Sequence, residues 1–119
     1  IPNDADFTET IFMHPTILFR YSAIGFVGHR IHYDYPYTKN EENYPDLIVH
    51  GPLQATFLLR AAEKLKGKSV TSFNHKVMAP VFANSNYIIG AKENQDGSVS
   101  CWGAVEGTGM TMQAEAFFE

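Results

Sequence analysis

Only one stretch of this chain carries the spacing of a long amphipathic helix, and nearly everything after it reads as strand. From Pro52 to about Lys66, apolar side chains recur at Leu53, Phe57, Leu58, Ala61, Ala62 and Leu65, close to the helical period. Pro52 suits a first helical turn, and Gly67 supplies a stop. Lys64, Lys66 and Lys68 gather at the end where the helix dipole favours cations. Beyond it, strands are expected over 72–77, 86–93, 99–107 and 110–118, punctuated by Pro80, Asn94-Gln95-Asp96-Gly97 and Gly107-Thr108-Gly109. Asp96-Gly97 is a hairpin signal. One long helix and an antiparallel meander each have an apolar face to cover, and the economical solution is an α+β fold with the sheet wrapped around the helix.

Ahead of the helix the pattern is less regular. Residues 1–14 read as a polar lead-in with one short strand at Ile11-Phe12-Met13. Pro15 to Phe26 is rich in β-branched and aromatic residues, so a strand running into a loop is expected there. Residues 27–46 hold His29, His32, four tyrosines and two prolines, and read as irregular structure with short helical turns. Asp34 before Tyr35-Pro36 has the form of an N-cap.

With 119 residues the chain is expected to form a single domain, and one of this size buries only roughly two-thirds of its unfolded surface. A homodimer is therefore plausible from size alone. The net charge of −4 and the scattered lysines and arginines disfavour nucleic-acid binding, which draws its affinity from basic stripes. The single Cys101 rules out an internal disulfide and a Cys-rich zinc site, and suits a reducing compartment such as the cytoplasm or a mitochondrial matrix. No apolar run approaches a membrane span, so no membrane partner is expected.

Two segments are recognisable. Arg20-Tyr21-Ser22-Ala23 leads to Gly28-His29-Arg30-Ile31-His32-Tyr33-Asp34, and Tyr44-Pro45-Asp46-Leu47-Ile48-Val49-His50-Gly51-Pro52-Leu53-Gln54-Ala55 follows. Together with Lys76-Val77-Met78-Ala79-Pro80-Val81-Phe82, they resemble the second half of the two-half MaoC-like hydratases and dehydratases, the group of mesaconyl-CoA hydratase and hydroxyacyl-thioester dehydratase. The resemblance spans roughly residues 16–118. It implies a hot-dog fold and reversible hydration of an enoyl thioester of CoA or acyl carrier protein. The carrier is then part of the substrate, and no separate cofactor is implied. Members of this group usually carry another hot-dog half, so pairing with such a half or with a second copy is implied as well.

In the resembled family the hydratase motif runs Asp, any residue, Asn, Pro, an aliphatic residue, His. With its His on His32, Ile31 takes the aliphatic position, Arg30 that of Pro and His29 that of Asn, while the acid position falls on Val27. The two-half group usually has Asn there. Asn74, Asn84 and Asn86 are candidates to supply the amide that Val27 lacks.

The chemistry needs a base for water, a proton for the α-carbon and a donor for the enolate oxygen. His32 is the candidate base, against the alternative of a loop histidine satisfied by a backbone carbonyl. Gly51, at the start of the long helix, is the candidate oxyanion donor, against the alternative of a plain turn glycine. Arg30, His29 and His50 are the substrate-side candidates. Arg30 and His29 would fix the loop or meet carrier phosphates, and His50 would flank the carbonyl or tie the loop. Arg60, Lys64, Lys66, Lys68 and Lys76 are further phosphate candidates, or simply solvated. His29, His32 and Asp34 have a two-His-carboxylate spacing, but a loop is a poor scaffold for one, and no metal is expected. Cys101 beside Trp102 reads as a core thiol. Two other functions stay open: a non-catalytic acyl-thioester-binding domain, which Val27 favours, and a thioesterase using Asp34 or Glu63.

Overall fold

The computed structural model describes residues 1–119. In chain order it runs β1 (Phe7–Phe12), α1 (Pro15–Ile24), a 3-10 turn (Arg30–His32), α2 (Tyr35–Asn40), α3 (Gly51–Lys66), β2 (Ser72–Val77), β3 (Asn86–Glu93), β4 (Val99–Val105) and β5 (Gly109–Phe117). The stripe read between Pro52 and Lys66 is α3, ending on Gly67 in the left-handed conformation at φ 73°. No helix is long and apolar enough to cross a membrane.

All five strands join one antiparallel sheet in the order β1-β3-β4-β5-β2. The meander β3-β4-β5 forms its middle, with β1 added beside β3 and β2 beside β5. The long helix lies against β3, β4 and β5. Strand periodicity turns Tyr87, Ile89, Ala91, Cys101, Met112, Ala114 and Ala116 into the core, where they meet Leu53, Leu58, Ala61 and Ala62 of α3. Leu58 has no exposed surface, so truncating it to Ala would cost about 2–5 kcal/mol.

One expected element differs. Pro15 to Ile24 is the helix α1, not a strand. Pro15 occupies its first turn, and Leu18 and Ser22, four residues apart, are its two buried positions. Ser22 reaches His50 at the start of α3 at 2.8 Å, and packing of this kind overrides the β propensity of the segment. The lead-in strand is longer than Ile11-Phe12-Met13 suggests, covering six residues from Phe7. Between α1 and α3 the short turns are as expected, and Asp34 caps α2 by accepting the Tyr37 N–H at 3.1 Å.

Two lashings shape what lies in front of α3. Residues 47–49 are tied to 81–83 through Val49 N–H to Val81 O (2.8 Å) and Ala83 N–H to Leu47 O (2.8 Å). Met78 N–H donates to Thr111 O at 2.7 Å, which pins the stretch after β2 to β5.

Candidate active site

A cavity of about 510 Å³ opens between these lashings and the start of α3. Ile31 and His32, Tyr44, Ile48 and Val49, Gly51 and Gln54, and the stretch Val77 to Pro80 line it. Its size and its mostly apolar wall with a few convergent polar groups are those of a small-ligand site.

His32 ends the 3-10 turn and is 9% exposed. Its Nδ1–H donates to Ile48 O at 2.6 Å, while Ile48 N–H donates back to Ile31 O at 2.9 Å. This pair of bonds holds the ring and selects the tautomer whose Nε2 carries a lone pair, with no protein partner, beside the cavity. Burial is the main influence on His32 and lowers its pKa; the Ile48 carbonyl opposes this, and His29 adds a small lowering.

His50 stands behind His32, not on the cavity wall. The two rings stack with centroids 3.7 Å apart and planes 17° apart. His50 is 2% exposed, shares a 2.8 Å hydrogen bond between Nε2 and Ser22 Oγ, and receives Tyr21 edge-on at 4.7 Å. Its Nδ1 is buried without a partner. An acceptor lone pair without a donor is cheaper to bury than an unpaired N–H, so Nε2–H is the donor to Ser22. Burial, with His32 adding to it, pushes His50 down to about 4. Both imidazoles are therefore neutral near pH 7, which is the form a general base needs.

Gly51 opens α3, and its N–H, one of the orphan donors of the first helical turn, meets no acceptor within the protein. Its φ is not in the left-handed region, and a Cβ there would only reach van der Waals contact with Val77 Cγ2 at 4.0 Å. Neither backbone conformation nor fold packing therefore demands glycine. The side chain it lacks would instead project toward Val77, across the cavity. Pro52 has no N–H to offer, so Gly51 and the positive end of α3 are what the site presents to a developing negative charge.

The other sequence candidates are placed elsewhere. Arg30 pairs with Asp34 at 2.9 Å and lies over the Tyr37 ring at 4.0 Å, on the exposed side of the loop. His29 sits edge-on to His32 at 5.7 Å, outside the cavity lining. The Tyr37 N–H, and then Arg30, hold the Asp34 carboxyl below its usual range, so that carboxylate is already engaged. Glu63 accepts the Val70 N–H at 2.9 Å. Arg60 and Lys66 pair with Glu9 and Glu93, and Lys68 donates to Glu119 O. Cys101 is buried, and burial first, then Glu115, pushes its thiol up to about 12.

Val27 lines a separate small hollow with Phe19, Ser22 and Tyr33. Asn74 lies on the edge strand β2, and Asn84 and Asn86 face a depression near Phe12 and Glu106; none of the three lines the His32 cavity. The carboxamide that does line it is Gln54, which the sequence reading missed. The signal was present: counting back four residues from Leu58 along the buried stripe lands on Gln54, a polar side chain on an apolar face.

Residues 1–83 match the hydroxyacyl-thioester dehydratase type 2 family. Over 89 residues the chain is 42% identical to mesaconyl-C(4)-CoA hydratase of Chloroflexus aurantiacus, covering 75% of this chain and 32% of that protein. Over 73 residues it is 37% identical to the mitochondrial hydroxyacyl-thioester dehydratase type 2 of Schizosaccharomyces pombe, covering 59% of this chain and 24% of that one. The chain thus spans a third or less of the length of these relatives. Among solved structures, the (R)-hydratase of A. caviae involved in PHA biosynthesis superposes with a TM-score of 0.80 at 16% identity, covering 92% of this chain and 89% of that one. The MaoC-like dehydratase of Phytophthora capsici gives 0.81 at 20% identity, covering 100% of this chain and 42% of the other. At those identities the likeness is one of fold, the hot-dog fold.

Proposed function

The chain belongs to the hydroxyacyl-thioester dehydratase type 2 family, and from that premise we propose that it is a hydro-lyase domain acting on an enoyl or 3-hydroxyacyl thioester. One observation carries the reading. A neutral histidine, His32, is held by Ile48 O so that its basic Nε2 shares a cavity with the unpaired N–H of Gly51.

In the hydration direction, His32 Nε2 takes a proton from water as the water oxygen bonds to the β-carbon. The π electron pair shifts toward the α-carbon and the thioester oxygen, whose charge meets the Gly51 N–H and the α3 dipole. The imidazolium then returns its proton to the α-carbon. The sum is one H–OH added across the double bond, with the base restored. Dehydration follows the same steps backward. The substrate carries its own CoA or phosphopantetheine, so the protein needs no further cofactor for this chemistry. Pairing with another hot-dog domain belongs to the same proposal.

Turnover of crotonyl-CoA by the purified chain, followed by loss of the conjugated thioester absorbance, tests it. Hydration that falls by about a hundredfold or more in His32→Ala supports the mechanism. Retained activity in that variant removes His32 from it. Val27, outside the cavity, favours a second reading, a non-catalytic acyl-thioester-binding domain. Saturable binding of crotonyl-CoA without hydration of it, or of longer and carboxylated enoyl-CoAs, would select that reading.

A further inference from the structure

Gln54 is 2% exposed and lies on α3 one turn beyond Gly51, among side chains that are otherwise apolar. A buried carboxamide at such a position costs stability unless its groups are paired. Half of it is paired. The Tyr87 hydroxyl donates to Gln54 Oε1 at 3.3 Å, and the Thr111 hydroxyl lies 3.4 Å from the same oxygen. Gly103, having no side chain, makes room for the Tyr87 ring and hydroxyl to reach that point.

The Tyr87 and Thr111 hydroxyls both lie at Oε1, which turns the carbonyl end of the amide toward β3 and β5. Gln54 Nε2 is left with two N–H donors and no acceptor in the protein, yet it is not sealed off, because Gln54 lines the cavity it shares with His32 and Gly51. Along α3 the order is a free N–H at half-buried Gly51 and then a carboxamide at fully buried Gln54, about 4.5 Å further along the axis. Along an enoyl thioester the order is the carbonyl and then the reacting β-carbon.

We infer that Gln54 Nε2 donates a hydrogen bond to the oxygen at the β-carbon, the attacking water in one direction and the 3-hydroxyl in the other. It thereby supplies from the central helix the polar contact that Val27 does not make. This rests on the hydration reading above. His32 takes the proton of that oxygen while Gln54 holds its lone pair, and the Tyr87–Gln54–Thr111 network keeps the amide from rotating away.

The test is inhibition of crotonyl-CoA hydration by 3-hydroxybutyryl-CoA and by butyryl-CoA, in the wild type, Gln54→Met and Tyr87→Phe. Crotonyl-CoA and butyryl-CoA lack the β-oxygen; 3-hydroxybutyryl-CoA has it. Gln54→Met is expected to lower kcat about tenfold or more, leave KM for crotonyl-CoA nearly unchanged, and weaken inhibition by 3-hydroxybutyryl-CoA about tenfold with butyryl-CoA unaffected. Tyr87→Phe keeps the carboxamide but frees it, and a smaller selective loss for the hydroxyacyl inhibitor is expected. This second variant decides the matter if Gln54→Met does not fold. Equal effects on the two inhibitors, or none on either, would overturn the role of Gln54 while leaving hydration standing. A wild-type chain inert toward crotonyl-CoA and longer and carboxylated enoyl-CoAs would instead remove the hydration reading, and this inference with it.

Discussion

His32 and His50 lie face to face, 3.7 Å between ring centroids, with Ile48 O holding the first ring and Ser22 the second. Two imidazolium ions cannot share such a stack, because each desolvated charge would repel the other. The arrangement sets a clear sign for the response to acid. Both pKa values lie below the ordinary histidine value of 6.5, so as pH falls the unfolded chain takes up protons before the fold does. Stability is therefore full above about pH 6.5 and is lost progressively as pH falls toward about 4. Thermal melts should show a drop of at least about 4 °C between about pH 7 and pH 5. The acid limb of the hydration rate should have its midpoint below 6.5, the value of an ordinary histidine, because His32 is lowered from it. A melting temperature that rises on acidification would contradict the neutral stack.

Gly51 offers a separation of fold from function. Because its backbone is ordinary and a Cβ finds only van der Waals contact with Val77, Gly51→Ala should fold normally, with a melting temperature within about 2 °C of the wild type. The added methyl stands toward Val77 in the cavity, beside the N–H that we propose meets the thioester oxygen. We expect kcat/KM for crotonyl-CoA to fall about tenfold or more, since small misplacements at a reacting centre are costly. Circular-dichroism melts and absorbance kinetics on one preparation check both halves. Unchanged kinetics would return Gly51 to being a turn residue.

Gly103 tests the frame beneath Gln54. Any Cβ at this position would run into the Tyr87 hydroxyl and the ring carbon that bears it. Gly103→Ala should therefore destabilise the domain by about 1–3 kcal/mol, through overpacking where the surrounding core is already filled. Urea unfolding measures it. The penalty should persist in part in Tyr87→Phe, because the ring itself remains in the way. A variant as stable as the wild type would show that β3 and β4 can part without cost.

Much of this protein was decided locally and could be read from the sequence. The α3 stripe, its Gly67 stop, the Asp34 cap and the Asp96-Gly97 hairpin depend on residues within four positions of one another, where spacing and turn chemistry act directly. The pairing of a histidine loop with a His-Gly-Pro helix start was legible too, and the structure brings His32 and Gly51 to one cavity.

Tertiary structure alone decided the rest. Pro15 to Ile24 is a helix whose buried Ser22 meets His50, twenty-eight residues on, a contact that no local window contains. His50 stands behind His32, where Ser22 of α1 meets it, and Val27, whose N–H donates to Ser22 O, lines a separate hollow beside α1. Gln54 gained its meaning only when Tyr87 and Thr111, from two distant strands, closed on its carbonyl oxygen. Short-range patterns choose elements, whereas the polar contacts of a site depend on which distant surfaces the core brings together.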